Sequence, residues 1–215
     1  MSFFNPIVQQ RISKTLAYFG GGLLITGGLV GALRNSSWAY MNPWAFLFLS
    51  FGTMFGTMLT SYEKTPVLKH AFWGAFMGTM ALSMVPLINM ASMPIIYDAL
   101  FATGFTMGGL GLIAYNAPSE QFLNWGGMLG MARAGMIGVS IAQMFWPSQA
   151  LFNIWLYGGL LLFSAFTLYD VQKIIKNAKT KPMWDPINES LGIYLDAIIL
   201  FERFLIIFMQ NNNKK

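Results

Sequence analysis

Charge is distributed along the 215 residues in a way that leaves long apolar runs joined by short polar segments. Residues 15–33 contain no Asp, Glu, Lys or Arg, and neither do 35–62, 71–97 or 99–119. Residues 121–169 carry only Arg133, and Trp146-Pro147-Ser148-Gln149 breaks that stretch in two. A last apolar run, 187–209, is interrupted by Glu189, Asp196, Glu202 and Arg203. About 20 apolar residues cross the ~30 Å hydrocarbon core of a bilayer. The pattern therefore predicts seven helices, at about 15–33, 44–61, 70–89, 95–115, 121–145, 151–175 and 188–209. Asn42-Pro43, Thr65-Pro66, Ser92-Met93-Pro94, Ala117-Pro118 and Asp185-Pro186 mark the joints. Strands are not expected, because the runs do not alternate and a spanning segment must satisfy its own backbone. The expected fold class is all-α, a polytopic membrane bundle forming a single domain over 1–215.

Composition agrees. Hydrophobic residues make up 55% and charged residues 10%, against roughly a quarter charged in soluble chains. There is no cysteine and one histidine, His70. Disulfide frameworks, thiol catalysis, zinc ribbons and bis-histidine haem are thereby excluded. The lipid bilayer is the expected partner. Glycines recur four residues apart at Gly52 and Gly56, Gly74 and Gly78, and Gly104 and Gly108. Such pairs let helix backbones approach closely, within the bundle or along a homodimer seam.

The net charge of +5 reads as a topology signal and not as affinity for nucleic acid. Arg11, Lys14, Lys64, Lys69, Lys173, Lys176, Lys179 and Lys181 fall on the side where odd-numbered helices begin, whereas Arg34, Lys214 and Lys215 fall opposite. That bias places the amino terminus on the cytoplasm-like side, which for a mitochondrial inner membrane is the matrix. No secretory signal peptide is visible, and residues 1–14 only faintly resemble a transit peptide.

Ionisable residues inside a span are costly unless they face protein or water. With helix six ending near 175, Asp170 lies ~7.5 Å inside its basic end, and Asp196 lies roughly 12 Å into helix seven from the same side. Two carboxylates sharing a dry site hold one proton between them more readily than two full charges, and they also form a hard-oxygen site for a cation. Asp170 has an alternative reading as a helix-end group paired with Lys173. Asp196 does not, since Ile193 to Leu195 precede it and Ala197 to Phe201 follow. Arg203, seven residues on, either balances the pair or snorkels to the far headgroups. Arg133 is expected to find an acidic or carbonyl partner within the bundle, and Asp98 and Glu120 to cap helix starts. No enzyme is expected. Gly138-Val139-Ser140-Ile141-Ala142 resembles a nucleophile elbow, but His70 would lie ~25 Å from Ser140 by helix rise, beyond hydrogen-bond reach.

Leu156-Tyr157-Gly158-Gly159-Leu160 through Leu168-Tyr169-Asp170-Val171-Gln172-Lys173-Ile174-Ile175-Lys176 resembles the sixth-helix motif of the Bax inhibitor family of membrane proteins. Asp185-Pro186-Ile187-Asn188 with Ile193-Tyr194-Leu195-Asp196 is similar to its last-helix signature. Ala117-Pro118-Ser119-Glu120-Gln121-Phe122-Leu123-Asn124 is similar to the loop before its fifth core helix. The resemblance, strongest to the family's mitochondrial branch, runs from about Arg11 to the carboxyl terminus. It implies six helices around a central seventh, the mitochondrial inner membrane, and calcium movement coupled to protons. It also implies that Asp170 and Asp196 are a pH-sensitive gate on the permeation route, with calcium and protons as transported ions and no resident cofactor. Three features depart from it, the first being Glu202 in place of an apolar residue. Met58-Leu59-Thr60-Ser61-Tyr62-Glu63 lacks the arginine that relatives carry late in the second core helix, and Arg133 stands where the family is neutral.

The function expected is a calcium/proton exchanger or calcium leak (an ion channel in effect), gated by the aspartate pair. The alternative is an accessory subunit of a larger inner-membrane assembly, respiratory or translocase, with transport lost. A regulatory role in cristae organisation or cell death is a third class.

Overall fold

Proline sets where several helices begin. In the computed structural model, which describes residues 5–118 and 120–212, α1 (Pro6–Leu33), α2 (Pro43–Leu59), α3 (Pro66–Met90) and α7 (Pro186–Asn212) each open on proline. The missing N–H costs nothing at the first helical position, and the ring presets φ. Asn5 and Asn42 complete the starts of α1 and α2 by accepting hydrogen bonds from the Ile7 and Trp44 amides, at 3.0 and 2.9 Å. Asp185 does the same for the Asn188 amide at the start of α7 (3.0 Å). Between these lie α4 (Met93–Asn116), α5 (Gly126–Phe145) with a tight turn at Leu123–Trp125 before it, and α6 (Gln149–Thr180). One turn of α6, Ile154–Gly158, widens to π-helix.

Every regular element among the described residues is thus helical: the seven long segments expected, with short 3-10 turns at Ser37–Tyr40 and Leu123–Trp125. Five are long and apolar enough to cross a membrane. The other two fall short for different reasons. α2 has 17 residues, about 25 Å of rise, and α7 carries the four charges at Glu189, Asp196, Glu202 and Arg203. Large apolar side chains such as Leu24, Phe101, Phe105, Met131 and Leu161 point outward, as lipid-facing residues do.

The helix ends differ from the sequence expectation in both directions: α5 begins at Gly126 instead of near 121 and α2 ends at Leu59 instead of near 61, whereas the largest differences are extensions. α1 begins at Pro6 instead of near 15, and α6 continues to Thr180 instead of stopping near 175. Arg11 and Lys14 bounded the apolar run, but apolarity reports burial in lipid, whereas a helix runs on into the headgroups through basic residues. Ser119, Lys214 and Lys215 lie outside the described residues.

The residues pack as two units. The first comprises the described residues of Met1–Ser92 with Ala178–Tyr194; the second comprises those of Met93–Asn177 with Leu195–Lys215. The first unit is pinned at its basic end by Lys69, a fully buried lysine. Its ammonium pairs with Asp185 (2.6 Å) and donates to Asn188 Oδ1 (2.7 Å). It also donates to the Thr57 and Thr60 carbonyls (2.6 and 3.2 Å) at the end of α2. Asn188 in turn donates to the Met58 carbonyl (3.1 Å). The last carbonyls of α2, orphaned by helix geometry, therefore find donors on α3 and α7. Arg11 serves α6 similarly, donating to the Ala178, Lys181 and Pro182 carbonyls (3.0, 2.7 and 3.3 Å). Deeper in this unit Thr26 and Tyr194 share a hydrogen bond at 2.7 Å, and Tyr194 packs on Phe76.

The expected close packing at the glycine pairs is met at one position. A Cβ on Gly56 would run into the Phe72 ring, whereas Cβ atoms on Gly52, Gly74, Gly78, Gly104 and Gly108 would meet open space among the described residues. Spacing marks a common face but not whether another helix occupies it.

Two stability outcomes follow, both read by thermal unfolding in detergent. Lys69→Met strips Asp185 and two carbonyls of their cation and is expected to cost about 3 kcal/mol. Gly56→Ala is expected to cost about 1–3 kcal/mol by overpacking, while Gly104→Ala, with room for its Cβ inside α4, is expected to be neutral or to stabilise by up to about 1 kcal/mol.

Candidate functional site

The second unit holds every residue singled out for ion or proton chemistry. Its apolar core is Leu129 of α5, Leu162, Phe163 and Phe166 of α6, and Leu200 of α7. Helical spacing then places the charged groups one turn away from that core. Asp170 follows Phe163 and Phe166 on the same face of α6, at seven and four residues. Asp196 lies one turn before Leu200 on α7, and Arg133 one turn after Leu129 on α5.

Both aspartates are buried, Asp170 at 7% exposure and Asp196 at 1%. Asp170 lies ten residues before the end of α6, and Asp196 ten residues after the start of α7, ~15 Å of rise in each case. Asp170 is therefore twice as far from its helix end as the shorter helix six predicted. The charged groups within electrostatic reach of Asp196 are Asp170, Arg133 and Lys173. Asp196 Oδ2 is fully enclosed and accepts no hydrogen bond from the described residues. Lys173, half-exposed, stands 3.9 Å from Asp170 Oδ1 and 5.7 Å over the Tyr169 ring. That separation is the outer limit of an ion pair and leaves the lysine largely in solvent.

Arg203 is placed elsewhere. Its side chain is 5% exposed and lies flat on Trp155, with Cζ 3.3 Å from the ring centre. Its Nε and Nη1 have no hydrogen-bond partner among the described residues. The π turn of α6 carries Trp155, and Gly159 just beyond it gives the guanidinium room, since a Cβ there would meet Arg203 Nε at 2.8 Å. Arg203 thus stacks on an aromatic ring inside the second unit, not out toward headgroups. Arg133 also finds an aromatic partner, not the acidic or carbonyl one expected: Cζ lies 5.0 Å from the Phe166 centroid and 5.6 Å from that of Phe163. Asp98 sits beyond the first turn of α4, which starts at Met93, and Glu120 pairs with Lys176 at 3.1 Å from a loop position with φ of 68°. Neither caps a helix start.

Gln172, two residues past Asp170, was visible only as part of a motif. It is buried, accepts from the Phe122 amide (2.7 Å) and donates to the Pro118 and Ala114 carbonyls (3.1 and 3.4 Å). It fastens the loop before α5 to α6 and so fixes the rotation of α6 on which Asp170 is carried. Among the described residues no group of three or more His, Cys, Asp or Glu side chains gathers as a metal site.

A family model described as "Inhibitor of apoptosis-promoting Bax1" matches residues 8–213. The chain is 35% identical to the growth hormone-inducible transmembrane protein of Rattus norvegicus, over 97% of its own length and 65% of the rat protein's. It therefore spans slightly under two thirds of that relative. It is 31% identical to Bax inhibitor 1 of Bos taurus, over 100% of this chain and 92% of the bovine one. An uncharacterized Helicobacter pylori protein is 28% identical over 88% of this chain and 82% of its own. A match of this extent, over seven helical segments with two acids buried in the last two, makes the chain a multi-pass membrane protein of the Bax inhibitor family.

Proposed function

We propose that the chain carries calcium across the mitochondrial inner membrane in exchange for protons, or as a proton-regulated leak, with Asp170 and Asp196 as the shared cation and proton site. One observation carries this reading: Asp196 is 1% exposed with Oδ2 unpartnered among the described residues, while Asp170 lies within its electrostatic reach. An enclosed carboxylate without a donor is expensive to keep. A group retained at that cost suits a proton or a metal cation, each of which neutralises it. The two compete for the same oxygens, so calcium binding releases a proton and acid weakens calcium binding.

Ligand number supports passage over storage. Calcium takes six to eight oxygens, and sites with few carboxylates bind it weakly. Two carboxylates completed by water suit an ion that must enter and leave again. The basic residues, collected where odd-numbered helices start, support a matrix-side amino terminus.

The test is calcium flux into proteoliposomes across a pH series. Wild type is expected to pass calcium with a pH dependence, Asp196→Asn to lose at least tenfold of the flux and the pH dependence with it, and the Asp170→Asn, Asp196→Asn pair to be silent. Wild-type flux through the double variant overturns the proposal. An amino-terminal tag is expected to resist protease in intact mitoplasts and to be cut only after detergent; cleavage before detergent contradicts the orientation.

A further inference from the structure

Arg133 is the one ionisable residue in α5, and it is partly buried. Guanidinium groups held against a protein surface ordinarily take carboxylates in a bidentate grip. This one makes no hydrogen bond and no ion pair among the described residues, and rests only on the faces of Phe163 and Phe166. Cation–π contact holds a charge in place more weakly than a desolvated ion pair would. The two rings stack on each other, with centroids 5.9 Å apart, and so form a shelf along the face of α6 that leads to Asp170.

Three geometric facts orient the guanidinium. Side chains on a helix lean toward its amino terminus, so Arg133 reaches back toward the level of Leu129. Leu129 packs in one cluster with Phe166 and Leu200, the residues one turn from Asp170 and Asp196. The guanidinium also lies nearer Phe166 than Phe163, hence on the side of the shelf closer to the aspartates. An arginine held by rings alone and a carboxylate oxygen with no donor among the described residues are thus set within one unit, in electrostatic reach of each other.

We infer that Arg133 is a tethered cation that competes with the transported metal ion for Asp196, and so sets the affinity and the charge preference of the aspartate site. With the guanidinium on Asp196 Oδ2 the site is neutralised from within. With a metal ion between the aspartates, the guanidinium is repelled and stays on the Phe163–Phe166 shelf. The internal cation therefore lowers affinity for any external cation, and lowers it more for a divalent ion than for a monovalent one because repulsion scales with charge. Arg133 is a specificity-determining residue here, and it acts through Asp196. The inference rests on the aspartate pair being a cation site, as proposed above.

Calcium and sodium binding to the purified full chain in nanodiscs tests it, with Arg133→Gln, Arg133→Lys, Asp196→Asn and the Arg133→Gln, Asp196→Asn double variant. Arg133→Gln is expected to bind calcium about tenfold more tightly, with a smaller gain for sodium. Arg133→Lys keeps the charge and is expected to remain within about threefold of wild type, which a purely packing role for the arginine would not predict. The gain is expected to vanish in the double variant. Unchanged calcium affinity in Arg133→Gln, while Asp196→Asn binds weakly, overturns the inference and leaves the aspartate site standing. Should no variant bind calcium at all, the cation-site reading fails, and thermal unfolding of the same four proteins decides the arginine's role. Non-additive melting shifts for positions 133 and 196 support the Arg133–Asp196 engagement, and additive shifts overturn it.

Discussion

The whole second unit is organised around the cost of enclosing Asp196 in an apolar helix. A carboxylate in hydrocarbon is expensive by several kcal/mol unless something meets its charge. Here what meets it is incomplete. Asp170 repels it, Lys173 stays half in solvent, Arg133 rests on phenylalanine rings, and Oδ2 accepts nothing from the described residues. A protein evolving for stability alone could relieve this with one asparagine or leucine. Conflicts of this kind are usually found at working sites, which is what motivates the role proposed for Asp170 and Asp196.

The surroundings are fixed by conventional means. Gln172 ties the loop before α5 to the face of α6 below Asp170. The Leu129–Phe166–Leu200 core locks α5, α6 and α7 against one another within the unit. In the first unit Lys69 performs comparable work for the ends of α2 and the start of α7. Rigid supports around a poorly satisfied centre let small changes at the centre, a proton or an ion, be felt without disturbing the helices that carry it.

Much of this was legible in the sequence, and the failures have physical reasons. Seven helices followed from charge-free runs because lipid imposes one simple requirement on every span. Asp170 and Asp196 followed from the same requirement, as exceptions to it. Helix ends did not, since Arg11, Lys14, Lys173 and Lys176 end an apolar run without ending a helix. Lys69 was counted as one more basic residue marking a membrane face, because nothing in its neighbours reveals that Asp185 and Asn188, more than a hundred residues away, come to meet it. The aromatic seats of Arg133 and Arg203 depend on how one helix is rotated against another, and single-chain periodicity does not carry that. The glycine pairs marked faces correctly, but only Gly56 meets a neighbour.

The claim under all of this is that Asp170 and Asp196 behave as one electrostatic site. Infrared difference spectroscopy of the carboxyl stretch, with carbon-13 aspartate and an acid–base titration in nanodiscs, reads it directly. The two groups should titrate in two separate steps, and Asp170→Asn should leave a single Asp196 step displaced from its position in the pair. Two aspartates that titrate together at the pH of ordinary solvated carboxyls, with Asp196 indifferent to the change at 170, would contradict the account.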